Sequence, residues 1–300
     1  MNSASVIVPA YNADATIGDM LRALLGQVQP PAALEIIVVD NASTDRTADV
    51  VRGFPGVRLL SETKRGPAAA RNTGLHDARN EIVVHLDADT LPTRTWLRNI
   101  LAPFSSPSTV LAAGQTLCFY PQTPVERYIA GAGVYDTERA ISRLPFPFAP
   151  SLNMAVRRSA ALDVGGWTEE LMTAEDVDFS HRVLKRFGTP IAFARDAVLL
   201  HRVRSTPAQL AAMARSYGQG VACMYLRYRD EVQWDALKTA KTTGRLAARA
   251  AAAGMLRVGQ ALALTKQADA EFAQLHYVWS RNFASGFYEA YYGAARGGPG

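Results

Sequence analysis

The sequence predicts an α/β protein: a mostly parallel sheet flanked by helices over about the first two thirds, then a helical C-terminal extension. Three observations carry this. Strand-like and helix-like segments alternate from residue 5 to residue 101. The strand-like runs are continuous aliphatic stretches such as EIIVVD (35–40) and EIVVHL (81–86), the pattern of parallel strands covered on both faces. From Pro207 onward the chain reads as helix.

Taken in order, SVIVPAY (5–11) is the first strand. Ile17, Met20, Leu21, Leu24, Leu25 and Val28 then recur at helical spacing, with Asn12 or Asp14 expected as the N-cap. LEIIVVD (34–40) is the second strand, and STDRTADVVR (43–52) the second helix, opened by Ser43 or Thr44. VRLLSE (57–62) is the third strand, and Pro67 suits the first turn of a helix through AAARNTGLHDAR. The strand within EIVVHLDADTLP (81–92) follows, then a helix near Thr93 to Leu101. Residues 102–150 hold seven of the 16 prolines around one strand, VLAAGQTLCFY (110–120), and long loops of this kind are usually functional. EDVDFSHRVLKRF (175–187) is a helix and IAFARDAVLLH (191–201) a strand. The expected division is a sheet domain at 1–205 and a helical extension at 206–300, with the glycine-rich tail at 293–300 expected to lack packing partners.

With 48% hydrophobic and 20% charged residues among 300, the composition is that of a globular protein. Lys+Arg 32 against Asp+Glu 27 leaves a formal charge of +5, a mild excess that fits an anionic ligand or a membrane surface. No dense basic run with interleaved aromatics speaks for nucleic acid. Cys118 and Cys223 form no CxxC, so core thiols in a reducing compartment are expected rather than a disulfide or a thiolate metal site. The N-terminus lacks the basic region of a signal peptide and no apolar stretch reaches spanning length, so the expected location is cytoplasmic, at most peripheral on the inner membrane face.

The chemistry gathers where strands end. Asp40 closes the second strand, and Asp87 and Asp89 follow the fourth, at the sheet edge where open α/β sheets bind ligands. Like charges so close need a cation or several donors between them. Few carboxylates plus a hard cation suggest a site completed by substrate phosphates, that is, a nucleotide diphosphate held through Mg2+ or Mn2+. PAYNAD after the first strand lacks the GxGxxG of dinucleotide binding, which argues against nicotinamide or flavin chemistry. The plain alternative is that Asp87 and Asp89 cap a turn or the next helix.

Five segments in order, VIVPAYN (6–12), VVDNASTDRT (38–47), RGPAAARNTGL (65–75), HLDADT (85–90) and GGWTEELMTAEDVDFSHRV (165–183), resemble the inverting glycosyltransferases of family 2, which have the nucleotide-diphospho-sugar transferase fold known as GT-A. That resemblance implies a nucleotide-sugar site at Pro9, Tyr11, Asn12, Asp40, Arg71, Asp87 and Ala88, with a UDP-sugar as the first donor to test; the alternative for Arg71 is a salt-bridged helix residue. It implies Asp89 and His201 as ligands of Mn2+ or Mg2+, and Asp176 of the Glu-Asp pair as the general base that takes the acceptor hydroxyl's proton. Gly166, Trp167 and Glu175 are expected on the acceptor side, with Trp167 either an aromatic plane for a sugar or a core side chain. Acids in a first helical turn are also favoured by the helix dipole alone, so a purely structural role for Glu175 and Asp176 is the competing reading. Asp178 and Arg182 need only an i, i+4 helix pair.

In the C-terminal third, Lys238, Lys241, Arg245 and Arg249 fall on one helical stripe. Such a stripe is ordinarily a solvated face; the sharper expectation is contact with an anionic membrane carrying a lipid-linked acceptor. Two rival functions are a nucleotidyltransferase, which would need an early basic residue for a triphosphate that PAYNAD does not offer, and a non-catalytic partner module, which would be expected to lack the paired acids.

Overall fold

The computed structural model describes residues 3–31 and 33–296. Strands β1 (Ala4–Ala10), β2 (Leu34–Asp40), β3 (Val57–Ser61) and β4 (Ile82–Leu86) alternate with helices α1 (Ile17–Leu25), α2 (Thr47–Arg52) and α3 (Pro67–Asp77). Next come β5 (Thr90–Pro92), α4 (Trp96–Leu101), β6 (Leu111–Cys118), α5 (Pro124–Gly131), α6 (Thr137–Ile141), β7 (Asn153–Arg157), α7 (Arg158–Asp163), α8 (Glu175–Phe187) and β8 (Ala192–His201). The helices α9 (Pro207–Arg227), α10 (Ala236–Ala261) and α11 (Gln267–Arg296) complete the described elements. The expected tail at 293–300 is thus helical through Arg296, and residues 297–300 lie outside the described residues.

Among the described residues, eight strands form one sheet in the order β3-β2-β1-β4-β7-β6-β8-β5. The four from β1 to β4 run parallel, β7 is antiparallel to both β4 and β6, and β5 is antiparallel to β8. Alternation along each strand feeds two cores. Val6, Val8, Ile36, Val38 and Val84 face one, which takes in Ile17, Met20, Leu21 and Leu24 of α1; Ile7, Ile37, Val39 and Val83 face the other, with Leu75 of α3 and Phe179 of α8.

One residue of β1 marks where the sheet opens. Pro9 pairs with Val39 of β2, whereas the β1–β4 ladder ends at Ile7 and His85. Beyond that pair β1 makes no ladder with β4, so a proline that cannot donate is tolerated there. The crevice between diverging strands is where an α/β sheet places its ligand.

Two compact units are resolved. The sheet unit takes the chain through Phe119 together with Tyr135–Arg202, and the helical unit takes Tyr120–Val134 and the chain from Val203 onward. Helix α5 therefore belongs with the helical unit although it lies inside the 1–205 stretch. Its start is fixed by a capping box between Thr123 and Glu126, and the hydroxyl of its Tyr128 lies 3.0 Å from His276 Nδ1 on α11. A second capping box, Thr206 with Gln209, opens α9.

Candidate active site

The expected N-caps of the first two helices are used otherwise. The N-cap positions are Thr16 and Arg46, neither with a side-chain cap bond. Asn12, held at φ 47°, accepts the Thr44 N–H on its Oδ1 at 2.9 Å and donates its own N–H to Ser43 Oγ at 3.0 Å. The loops after β1 and β2 are thereby laced together, in a backbone conformation that Asn tolerates better than most residues. Asp40, the last residue of β2, has its Oδ1 buried with no hydrogen-bond partner. An orphaned carboxylate oxygen is costly unless something donates to it. Beside these loops Tyr11 stays half-exposed, with the Arg65 guanidinium 4.2 Å from its ring centre.

The loop that carries Arg65 is held by Asn41, whose side chain gave no signal in the sequence. Its amide donates to the carbonyls of Glu62 and Lys64 at 3.2 and 2.7 Å and accepts from Gly66 N–H at 2.8 Å.

Asp87, Ala88 and Asp89 do not continue an extended strand. The Thr90 hydroxyl and N–H both return to the Asp87 carbonyl, at 2.6 and 3.3 Å, so the three residues make a tight turn from β4 into β5. The turn separates the duties of the two acids. Asp87 accepts from Arg71 Nη2 at 3.1 Å, while Asp89 Oδ2 lies 3.4 Å from His201 Nε2. Register explains the second contact, because Thr90 of β5 pairs with His201 of β8. The imidazole is buried, meets Tyr135 edge-on at 4.7 Å, and leaves its Nδ1 without a partner. Neither acid caps α4, whose N-cap is Thr95. Burial and the neighbouring Asp89 charge push the Asp87 carboxyl above its ordinary range, against the pull of Arg71.

Arg71 is where the structure departs most from a nucleotide contact. Its side chain is 3% exposed and spends both terminal nitrogens on carboxylates, Asp87 and, at 2.9 Å, Glu175 Oε1. It joins the turn after β4 to the first turn of α8, and its guanidinium stays charged despite burial because those acids surround it. Glu175, expected near an acceptor, is buried and paired to Arg71 instead.

Trp167 is also corrected. The ring is 2% exposed, stacked on Phe179 at 4.4 Å with the His85 ring perpendicular to it at 4.9 Å, so it is packed into the core and no sugar can stack there. The turn before it explains Gly166: at φ 69° an added Cβ would lie 2.6 Å from Asn72 Oδ1, and Asn72 brackets Trp167 by accepting its N–H at 2.8 Å and donating to its carbonyl at 2.9 Å. These two residues build the wall under Arg71, whose guanidinium carbon lies 5.0 Å from the Trp167 ring centre.

Asp176 follows Glu175 in α8, which begins after Ala174 in the left-handed region. Its two oxygens are held by backbone donors, Oδ1 by Val177 N–H at 2.9 Å and Oδ2 by Ser151 N–H at 3.2 Å. Burial, and then the Glu175 charge, push its carboxyl up to about 7, so it exchanges a proton near neutrality. Asp178 and Arg182 pair at 2.8 Å as an ordinary helix pair.

Taken together, the ends of β2 and β8, the turn after β4 and the first turn of α8 carry an orphaned acceptor at Asp40, a buried Asp87–Arg71–Glu175 bridge, an Asp89–His201 pair, and at Asp176, next to Glu175, a carboxyl pushed up to about 7. The 3.4 Å between Asp89 and His201 is a spacing that two neighbouring ligands of one small divalent cation can share, and a mixed N/O pair suits Mn2+. No group of three or more His, Cys, Asp or Glu placed to hold a metal occurs among the described residues, so a cation there would complete its shell with water or substrate oxygens.

Known proteins resemble this chain. The family model for Glycosyl transferase family 2 matches residues 5–165. Glycosyltransferase AglE of Haloferax volcanii is 31% identical over 207 residues, which cover 67% of each protein. The pre-mycofactocin glycosyltransferase of Mycobacterium tuberculosis is 30% identical over 235 residues, 76% of this chain but 48% of the relative, so the match spans about half of that longer protein. Among solved structures, mannosyltransferase PcManGT from Pyrobaculum calidifontis, in complex with GDP-Man and Mn2+, superposes with a TM-score of 0.68 at 25% identity over 95% of this chain and 87% of that one.

Proposed function

The chain belongs to glycosyl transferase family 2, and from that premise we propose that it moves a sugar from a nucleotide-diphosphate sugar to an acceptor hydroxyl with inversion, Asp176 acting as the general base. The observation that carries this reading is the Arg71 bridge: one buried guanidinium links Asp87, on the donor side, to Glu175, the neighbour of Asp176.

In this reading the orphaned Asp40 oxygen accepts from the nucleobase and Asp87 from the ribose. Asp89 and His201 would hold a divalent cation, Mn2+ or Mg2+, which would supply charge stabilisation for the leaving diphosphate. The acceptor oxygen attacks the anomeric carbon as its proton passes to a carboxylate oxygen of Asp176. The bond from that carbon to the diphosphate oxygen breaks in the same displacement, and the nucleoside diphosphate departs. A single displacement inverts the anomeric centre. The two backbone N–H groups on Asp176 fix its rotamer, so the base is oriented before the acceptor arrives. Arg71 positions both ends and touches neither reacting atom. A UDP-sugar is the first donor to test; a GDP-sugar is the second, because the solved mannosyltransferase was captured with GDP-Man.

The test is a thermal-shift panel of UDP-glucose, UDP-N-acetylglucosamine and GDP-mannose with and without Mn2+. A donor at about a hundred times its dissociation constant stabilises by roughly 2.7 kcal/mol. Asp89→Ala is expected to lose the part of that gain that depends on Mn2+. An Asp89→Ala protein that keeps the full Mn2+-dependent gain would reject the metal assignment, and no shift with any donor would reject the nucleotide-sugar reading.

A further inference from the structure

The four-residue basic stripe expected on the C-terminal helices is only half exposed. Lys238 turns its ammonium to the Gln233 carbonyl and the Tyr225 ring, and Arg249 donates to Ser280 on α11. Lys241 and Arg245 remain exposed. The outward face of α10 holds what the stripe alone did not reveal. Leu237, Met255 and Val258, and Leu262 at the C-cap, are each at least 60% exposed. At about 100° per residue, Leu237 and Met255 share one direction, with Val258 and Leu262 within about 60° of it. Lys241 and Arg245 lie about 40° and 80° to the other side, and Ala253, which is buried, points nearly opposite.

A helix that turns large aliphatic side chains outward beside cations is unpartnered on that face. Charge identifies what covers it: residues 236–268 contain six Lys or Arg and no Asp or Glu. A second copy would bring those cations against themselves. An anionic bilayer surface answers both features, taking aliphatic side chains at the headgroup boundary and cations at its phosphates. No described helix is long and apolar enough to cross a membrane, so the contact is interfacial. We infer that the outward face of α10 docks the protein on an anionic lipid surface through Met255, Val258 and Leu262, with Lys241 and Arg245 on the headgroups. This inference does not rest on the donor chemistry, and its test needs no donor.

Full-length protein is centrifuged with vesicles of phosphatidylcholine alone or mixed equally with phosphatidylglycerol. Binding is expected only to the mixed vesicles and is expected to fall as salt rises. Met255→Ser/Val258→Ser/Leu262→Ser should weaken it on the order of tenfold or more, and Lys241→Gln/Arg245→Gln by roughly 30-fold at low salt, each cation near the surface contributing about fivefold. All five side chains face solvent, so circular dichroism should show unchanged helix content in both variants. Equal binding to neutral and mixed vesicles, or wild-type binding by both variants, would overturn the inference. So would the absence of vesicle binding alongside a dimer, seen by light scattering, that the triple variant dissolves, since a second copy would then cover the face.

Discussion

At the residue scale, Asp176 separates a base from a helix-starting acid. Asn keeps the side chain's size but cannot take a proton, so Asp176→Asn should lower turnover by roughly 10²- to 10⁴-fold while donor affinity holds. Turnover within a few-fold of wild type would reject the base. The raised carboxyl gives the same substitution a second signature. Folded Asp176 titrates near 7 and an unfolded Asp near 4, so between those values the folded state binds the extra proton and wild-type stability falls as pH rises. Asn has nothing to ionise. The Tm of the mutant relative to wild type should therefore climb from pH 4 to pH 7 and level off above, whatever fixed offset the lost backbone contact adds; a pH-independent difference would show that this carboxyl is not raised. In the wild type, kcat/KM should rise with pH along a limb near 7 as the base deprotonates. His85, fully buried with neither ring nitrogen partnered, is a second residue whose state follows from burial, which holds its pKa well below the ordinary value, with the Arg71 charge adding to the effect. A neutral folded His costs stability as pH falls below about 6.5, where the unfolded chain takes up the proton. His85→Leu should flatten the Tm profile between pH 5 and 6.5, checked by differential scanning calorimetry; an unchanged profile would mean that folded His85 takes up its proton as readily as the unfolded chain does.

At the element scale, what could be read depended on whether an element's own residues recorded its surroundings. β1, β2 and β4 are buried on both faces and read as aliphatic runs, and α1 and α8 carry an apolar stripe, so all five were legible. β7 (NMAVR) was not, because its buried Asn153 and terminal Arg157 break the aliphatic pattern; that Asn is there to accept from Trp96 Nε1 at 2.8 Å and donate to the Gln115 and Ala197 carbonyls. α5, α6 and α7 are too short for periodicity to register. The packing of α9 on α11 was equally hidden. A Cβ at Gly218 would lie 2.0 Å from the Phe283 carbonyl oxygen and one at Gly286 2.1 Å from that of Arg215, so each helix closes on the other's backbone. In sequence these glycines look only like weak helix formers. Gly218→Ala should destabilise the helical unit by about 3 kcal/mol through overpacking against backbone that cannot yield. Gly244→Ala, where nothing lies within 4 Å, should instead stabilise α10 by about 0.5–1 kcal/mol. Urea unfolding followed by circular dichroism measures both, and a neutral Gly218→Ala would mean that the two helices sit farther apart.

At the scale of the whole molecule, the acids proposed for the site drew notice in the sequence because each ends or follows a strand or sits in the first turn of a helix, positions that topology sends to one edge of the sheet. Their partners were not. Arg71 reaches Glu175 across 104 residues and Asn72 reaches Trp167 across 95, and no local pattern records either pairing. Trp167, in the loop after α7, was misread because its stacking partner Phe179 belongs to the helix that follows, so its stacking surface looked unspent. The placement of α5 with the helical unit rests likewise on distant contacts. This separation allows one measurement to test where donor binding resides. Asp40, Asp87, Asp89, His201 and Asp176 all belong to the sheet unit, whereas α10 belongs to the helical unit. Ligand binding raises the free energy of every opening that breaks the site, so a donor with Mn2+ should slow amide exchange where those residues sit: the ends of β1 and β2, the turn after β4, the end of β8 and the first turn of α8. Amides of α10 should exchange at the same rate with and without donor. Hydrogen–deuterium exchange with mass spectrometry gives both readings in one experiment. Protection confined to α9, α10 or α11, with the turn after β4 unchanged, would move the donor site off the sheet and undo every residue assignment made at its edge.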